Sequence, residues 1–197
     1  MKELLRNPDS FYKILELTVS SLNLDDIMTR VVDELCDLFG CDRCTLYVVD
    51  RQANELYTQV AQKSSIGNFR VPIDSKHSFA SFVATSGKEI LIDDVYDESQ
   101  VRQIDAELVY TCDMDRKTAF RTTNLMSVPL RLRGEIIGVL QGLNKPGGFL
   151  PKDLDAMREF SLILALALNN ALVVRELLAA KQRDAAVVPT QEKPLGT

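Results

Sequence analysis

A change of hydrophobic period within the first third of the chain restricts the fold more than any other feature. Leu24, Ile27, Met28, Val31, Val32, Leu35, Leu38 and Phe39 recur at intervals of three and four, which lays one apolar stripe along a helix. Asn23 is placed to cap it, Asp25 and Asp26 lie at the positive end of its dipole, and Gly40 ends it. Beyond Gly40 the period drops to two. The stretches CTLYVVD (44–50) and ELYTQVA (55–61), rich in β-branched and aromatic residues and separated by RQAN, predict a hairpin, and FRVPI (69–73) predicts a third, short strand.

The remaining segments follow the same logic. SFASFVATSG reads as a short helix that Ser78 caps and Gly87 terminates, followed by a brief strand at EILI. Residues 93–123 lose periodicity and form a long loop with room for a helical turn; loops of this length inside a domain are usually functional, so this one is the candidate lid. LMSVPLRLRGEIIGVLQGLNK restores strand patterning around a turn at Arg133–Gly134, and a helix is predicted over 151–181. The expected fold class is α+β: an antiparallel sheet with the terminal helices on one face and the short helix and lid on the other. The expected division is an N-terminal extension (1–9), one domain (10–181) and a Pro-, Thr- and Gln-containing tail (182–197) of the kind that leads into an output domain.

Composition narrows the partners. A formal net charge of -5 with no Lys/Arg cluster argues against nucleic acid and anionic membranes. MKELLRNPDSFYKIL lacks the apolar core of a signal peptide, so a cytoplasmic location is expected. The apolar run FSLILALAL (160–168) stops at Asn169–Asn170, short of the roughly 20 residues of a bilayer span, and reads as a buried helix. The four cysteines, at 36, 41, 44 and 112, are expected as thiols. CDRC has the spacing of half a zinc site, but with His77 the only histidine, closing a tetrahedron would require Cys36 or Cys112, and no metal is expected.

NKPGGFLPKD (144–153) joins the last strand to the last helix. Pro151 suits the first helical position, Phe149 and Leu154 take the two positions of a hydrophobic staple, and Asp153 lies in the first turn, where Lys145 can reach it across the Gly147–Gly148 reversal. The expected result is a clasp that sets the angle between strand and helix.

Asn144, Lys145, Phe149 and Asp153 match the N-K-x(n)-F-x3-D-E signature, with Leu154 replacing the final Glu, and the chain here resembles GAF domains of the cyclic-nucleotide phosphodiesterase and bacterial adenylyl cyclase type. DRCTLYVVD, SFASFVATSGKEILIDDVYDE and DRKTAFRTTNLMSVPL look like successive segments of that family, covering residues 10–175. The resemblance implies an internal Lys145–Asp153 salt bridge supporting a pocket. It also implies ligand contacts from Asp115, Thr118 and Thr122, which meet a D-x-x-T-x-x-x-T pattern, and from Thr45, Phe79 and Ala80, with Ser78 beside them at the start of the short helix. A phosphorylated ligand would use backbone N–H groups there, and cAMP or cGMP is the regulatory ligand the resemblance implies.

Three functional classes follow. The first is a non-catalytic sensory module that binds a small ligand under the lid and signals through the terminal helices of a homodimer, built on helices 10–22 and 154–178. A ligand-free dimerisation spacer is the second. The third is a cysteine-based redox sensor or reductase, since GAF-type free methionine sulfoxide reductases share the architecture; their G-V-C-G turn corresponds here to Ser78-Phe79-Ala80-Ser81, which leaves Cys112 as the candidate sensor.

Overall fold

The computed structural model describes residues 8–58, 69–112, 115–116 and 119–187. Helix α1 (Pro8–Ser20) is followed by a helical stretch made of α2 (Leu24–Asp26), a π-helical turn (Ile27–Val31) and α3 (Val32–Phe39). Strands β1 (Arg43–Asp50), β2 (Glu55–Thr58) and β3 (Phe69–Pro72) lead to α4 (Phe79–Ser86). Then come β4 (Ile90–Ile92), α5 (Glu98–Ile104), β5 (Leu125–Leu132), β6 (Glu135–Leu143) and α6 (Pro151–Val187).

The helix ends are set by local chemistry. Asn23 accepts from the Asp25 N–H at 2.8 Å, and Gly40 ends α3 with φ 60 in the left-handed region. Ser78 accepts from the Ser81 N–H at 3.1 Å, and Gly87 closes α4 at φ 68. In the π-helical turn the Thr29 hydroxyl donates to the Asp25 carbonyl at 2.8 Å, competing for an acceptor of the regular ladder.

The six strands form one antiparallel sheet in the order β3-β2-β1-β6-β5-β4, as the alternating pattern predicts. Its alternation divides the interior in two. Cys44, Leu46 and Val48 of β1, Met126, Val128 and Leu130 of β5 and Leu140 of β6 point to the terminal helices, where Ile14, Leu35, Phe39, Met157, Phe160, Leu164 and Leu168 pack on them. Tyr47, Leu125, Val139 and Leu143 point the other way, toward Phe79, Val83, Val101 and Leu108 of α4 and the lid. This is the α+β arrangement expected.

Two glycines let α6 lie close to β6. A Cβ at Gly142 would meet Phe149, Met126 and Met157 side chains at 3.1–3.3 Å, and one at Gly138 would come within 2.5 Å of the Tyr47 carbonyl and 3.1 Å of Leu168.

Two elements differ from expectation. The 93–123 segment holds a helix, α5, because the Asp97 carboxylate caps it through the Ser99 and Gln100 N–H groups and buried Val101 ties it to the core. The last helix continues past 181 to Val187, through the good helix formers of AAKQRDAA. By length and composition alone this helix is also apolar enough to cross a bilayer, which the run 160–168 taken by itself did not suggest; its inner row is packed on the sheet. The second half of the ELYTQVA strand, from residue 59, lies outside the described residues, as do 1–7 and 188–197.

Candidate functional site

The clasp connects three pieces of chain. Lys145 Nζ donates to Asp153 Oδ1 at 2.8 Å, and Asp153 Oδ2 accepts from the Leu150 N–H at 2.8 Å, so one carboxylate answers both the lysine and the residue that precedes α6. Phe149 is buried with Leu154 packed on the same core, the two ends of the staple. The pair is mostly shielded, with side-chain exposures of 22% and 11%, and it serves geometry as much as stability.

Asn144 extends the clasp to the lid. At φ 58 its side chain is turned toward the returning lid segment, where Oδ1 accepts from Thr123 N–H at 2.7 Å and Nδ2 donates to the Arg121 carbonyl at 2.7 Å. Asn124 makes the reciprocal contact: its Oδ1 accepts from the Lys145 N–H at 3.0 Å. The Val95 N–H donates to the Thr123 carbonyl at 2.8 Å, so both ends of the lid are anchored at the same edge of the sheet.

The lid is shut by a buried carboxylate. Asp115 Oδ1 accepts from the Thr122 hydroxyl at 2.8 Å; Oδ2 accepts from the Thr122 N–H and the Tyr110 hydroxyl, both at 2.7 Å, and from the Tyr96 hydroxyl at 3.5 Å. Tyr110 also stacks on Phe79, ring centroids 5.6 Å apart. Burial first, then the bond to Asp115, pushes the Tyr110 phenol well up, so it stays a donor. The acceptor capacity that the resemblance assigns to a ligand is therefore filled by the lid itself, and a ligand reaching Asp115 has to displace one of these donors.

Under the lid the sheet presents an unexpected polar row. Arg43 and Thr45 of β1, Gln141 of β6 and Ser127 of β5 are all buried, and Thr45, Gln141 and Ser127 stand side by side in the strand register. Arg43 lies 3.8 Å above the Phe120 ring, and burial lowers the pKa of its guanidinium. Among the described residues no group within hydrogen-bonding range meets the Arg43 Nε or the Ser127 Oγ. Buried polar atoms without partners are uncommon and costly, at about 1–3 kcal/mol each.

Of the residues singled out from sequence, Thr45 is in this row, and Phe79 and Ala80 pack into the lid-side core. The Ser78 hydroxyl is occupied by capping. Asp115 and Thr122 meet as described, whereas Thr118 lies outside the described residues. Arg43, Tyr110, Ser127 and Gln141 were not found by sequence reasoning; the inward polar positions of RCTLYVVD, LMSVPL and EIIGVLQGL are the available signal, but only the register shows that they coincide. A cavity of about 300 Å³ opens within the lid between α5 and the 108–110 segment, lined by Val95, Tyr96, Val101, Arg102, Leu108 and Tyr110.

An antiparallel sheet with helices on both faces and a clasped C-terminal helix defines an α+β domain, and the comparisons agree on its family. The GAF domain profile matches residues 23–168. This chain belongs to the GAF domain family. It is 25% identical over 173 residues to the probable 3',5'-cyclic phosphodiesterase pde-5 of Caenorhabditis elegans, covering 82% of this chain and 22% of that protein. It is 21% identical over 187 residues to the dual 3',5'-cyclic-AMP and -GMP phosphodiesterase 11A of Takifugu rubripes, covering 88% and 19%. The chain thus spans about a fifth of the length of these curated relatives. Among solved structures, the free methionine-R-sulfoxide reductase from Neisseria meningitidis in complex with its substrate superposes with a TM-score of 0.67 at 18% identity, covering 88% of this chain and 94% of that one. The GAF domain from the Acinetobacter phosphoenolpyruvate-protein phosphotransferase gives 0.65 at 16% identity, covering 86% and 96%. At these identities the structural likeness speaks for the fold alone.

Proposed function

We propose that this chain is a regulatory, non-catalytic GAF module of the cytoplasm that takes a small ligand between the sheet and the lid. The observation that carries the reading is the buried polar row with its two unpartnered atoms, Arg43 Nε and Ser127 Oγ, on a sheet face that is otherwise apolar. A ligand with acceptor groups satisfies both atoms and lowers the cost of burying them. Thr45 and Gln141 extend the row, Ser78, Phe79 and Ala80 supply the start of α4, and Asp115, Thr118 and Thr122 form the part of the lid that rearranges. The curated relatives are named as cyclic phosphodiesterases, so cAMP and cGMP are the first ligands to try.

Signal output in this reading runs through the helices. Leu162, Leu166, Val173 and Leu177 of α6 are exposed at intervals of four, seven and four, a seam suited to a second copy, and Tyr12 and Leu22 are exposed near α1. Asn144 joins the lid to the clasp at the start of α6, so a lid movement reaches that seam by a continuous set of hydrogen bonds.

Calorimetry on ligand-stripped protein with cAMP, cGMP, cyclic dinucleotides and nucleobases tests the first part. A saturable isotherm that Ser127→Val and Thr45→Val weaken at least tenfold supports the site. A flat panel returns the module to a ligand-free dimerisation spacer. Light scattering on Leu166→Glu/Leu177→Glu tests the second part: monomers are expected, and an unchanged mass removes the helical seam.

A further inference from the structure

Three of the four cysteines meet at one point of the fold, outside the lid. Cys36 lies in the last turns of α3, Cys41 follows the left-handed Gly40, and Cys44 is an inward residue of β1. Cys41 Sγ is 3.9 Å from Cys36 Sγ and 3.6 Å from Cys44 Sγ, all three sulfurs lie within 4.8 Å of one another, and no disulfide joins them. With metal–sulfur bonds of about 2.3 Å, sulfurs sit about 4.0 Å apart around a trigonal ion and about 3.8 Å apart around a tetrahedral one. The 3.6 and 3.9 Å spacings lie within a few tenths of an ångström of those values. A core packed only for volume gives no reason for three sulfurs to converge to this separation.

We propose that Cys36, Cys41 and Cys44 form a three-thiolate binding site for a soft d10 metal ion. The donor set is all sulfur, which selects Cu(I) and Zn(II)-type ions over magnesium or calcium. Among the described residues no fourth His, Cys, Asp or Glu joins the group. Cu(I), which is satisfied by three thiolates, matches the site directly; Zn(II) and Cd(II) complete their shell with one solvent molecule at the half-buried Cys41 side. Binding exchanges three S–H bonds for three metal–sulfur bonds and releases three protons to solvent. Because three thiols give up their protons when the ion binds, affinity rises with pH.

The position gives the site a structural role. It fastens the end of α3 to the start of β1, where the Asp42 N–H donates to both the Leu143 and Asn144 carbonyls at 3.1 Å. A bound ion therefore stiffens the backbone next to the Asn144 contact to the lid.

The test uses the reduced, metal-free full chain, titrated with Cu(I) buffered by a competing chelator and separately with Cd(II). One equivalent per chain and a thiolate-to-metal charge-transfer band are expected. Cys41→Ser, the least buried change, should lose more than the roughly 10–100-fold that removal of an outer-shell partner costs, while Cys112→Ser binds as the parent does. Alkylation with mass-spectrometric mapping gives an answer that needs no variant: the loaded chain should protect residues 36, 41 and 44 and leave Cys112 reactive. No stoichiometric band with either ion, parent-like affinity in a folded Cys41→Ser chain, or equal labelling of all four thiols with and without metal overturns the proposal.

Discussion

The two faces of the sheet are made by the same strands and differ sharply in what they bury. Toward the terminal helices, β1, β5 and β6 contribute Cys44, Leu46, Val48, Met126, Val128, Leu130 and Leu140, and Phe160 of α6 fills the middle between Phe11 and Phe39 at ring separations of 5.8 and 6.3 Å. Toward the lid, the alternate positions of those strands include Arg43, Thr45, Ser127 and Gln141, two of them with an unpartnered atom. One face is packed for stability by dispersion and apolar burial. The other gives up part of that gain to bury a row of polar side chains. A sheet of this kind separates the two demands by parity, so that a change on one face need not disturb the other.

The largest test of that separation is Phe160→Ala. It should remove about 3–5 kcal/mol from unfolding stability measured by urea denaturation. A loss under about 1 kcal/mol would show that the helix-side core is not the main stabilising face. Asp115→Asn places an amide against the Tyr110 and Thr122 donors to Oδ2, or leaves them unpaired, at a cost of about 2–3 kcal/mol. Here the comparison predicts where the cost appears: hydrogen exchange should accelerate through 95–123 and remain slow in α6. Acceleration over the whole sheet would mean that the faces are coupled after all.

Asp153→Ala lies on the boundary between the faces and should cost about 1–2 kcal/mol by uncapping α6 and releasing Lys145. Faster exchange at 150–156 is expected, and ligand affinity should fall if the lid depends on the clasp. Next comes pH. Burial pushes Tyr47, on the lid face, up to about 12, above its ordinary 10. The neutral phenol is thus favoured in the folded chain, its contribution is complete below pH 10, and it is lost as pH rises toward about 12. Tyr47→Phe should flatten the alkaline limb of the stability profile; an identical limb would assign the transition to other groups. Ser127→Ala is the smallest effect, within about 0.5 kcal/mol or slightly stabilising because an orphaned hydroxyl is removed. A marked loss would reveal a partner and weaken the contrast between the faces.

Much of this architecture was legible because its causes are local. Asn23, Ser78, Gly40 and Gly87 mark helix ends by their own side-chain or backbone chemistry, and the clasp is contained in ten consecutive residues. The Arg133–Gly134 turn follows from two adjacent residues with positive φ. Helix α5 was harder to read, since its buried side is little more than Val101 and its main signal is a single capping Asp97. The site was less legible than the fold for a physical reason. Ser127 and Gln141 become neighbours of Thr45 only through the pairing of three strands, and Tyr57 meets Arg175 across 118 positions of sequence. Cys36 is another case: CDRC announced two of the sulfurs, but the third is delivered by the way α3 turns into β1 at Gly40. The resemblance points Asp115 and Thr122 at a ligand, and nothing in their spacing announces that they bond each other instead.

Helix α6 has one further consequence. Its 37 residues span about 55 Å, yet no residue between Ala171 and Asp184 is buried, so the last third of the rod stands clear of the sheet. A rod anchored at one end is a mechanical amplifier. The helix is held as far as Ala171, and the roughly 24 Å beyond it turn a bend of about 5° there into a displacement of about 2 Å at the far end. The far end of the rod therefore moves further than the backbone at the bend.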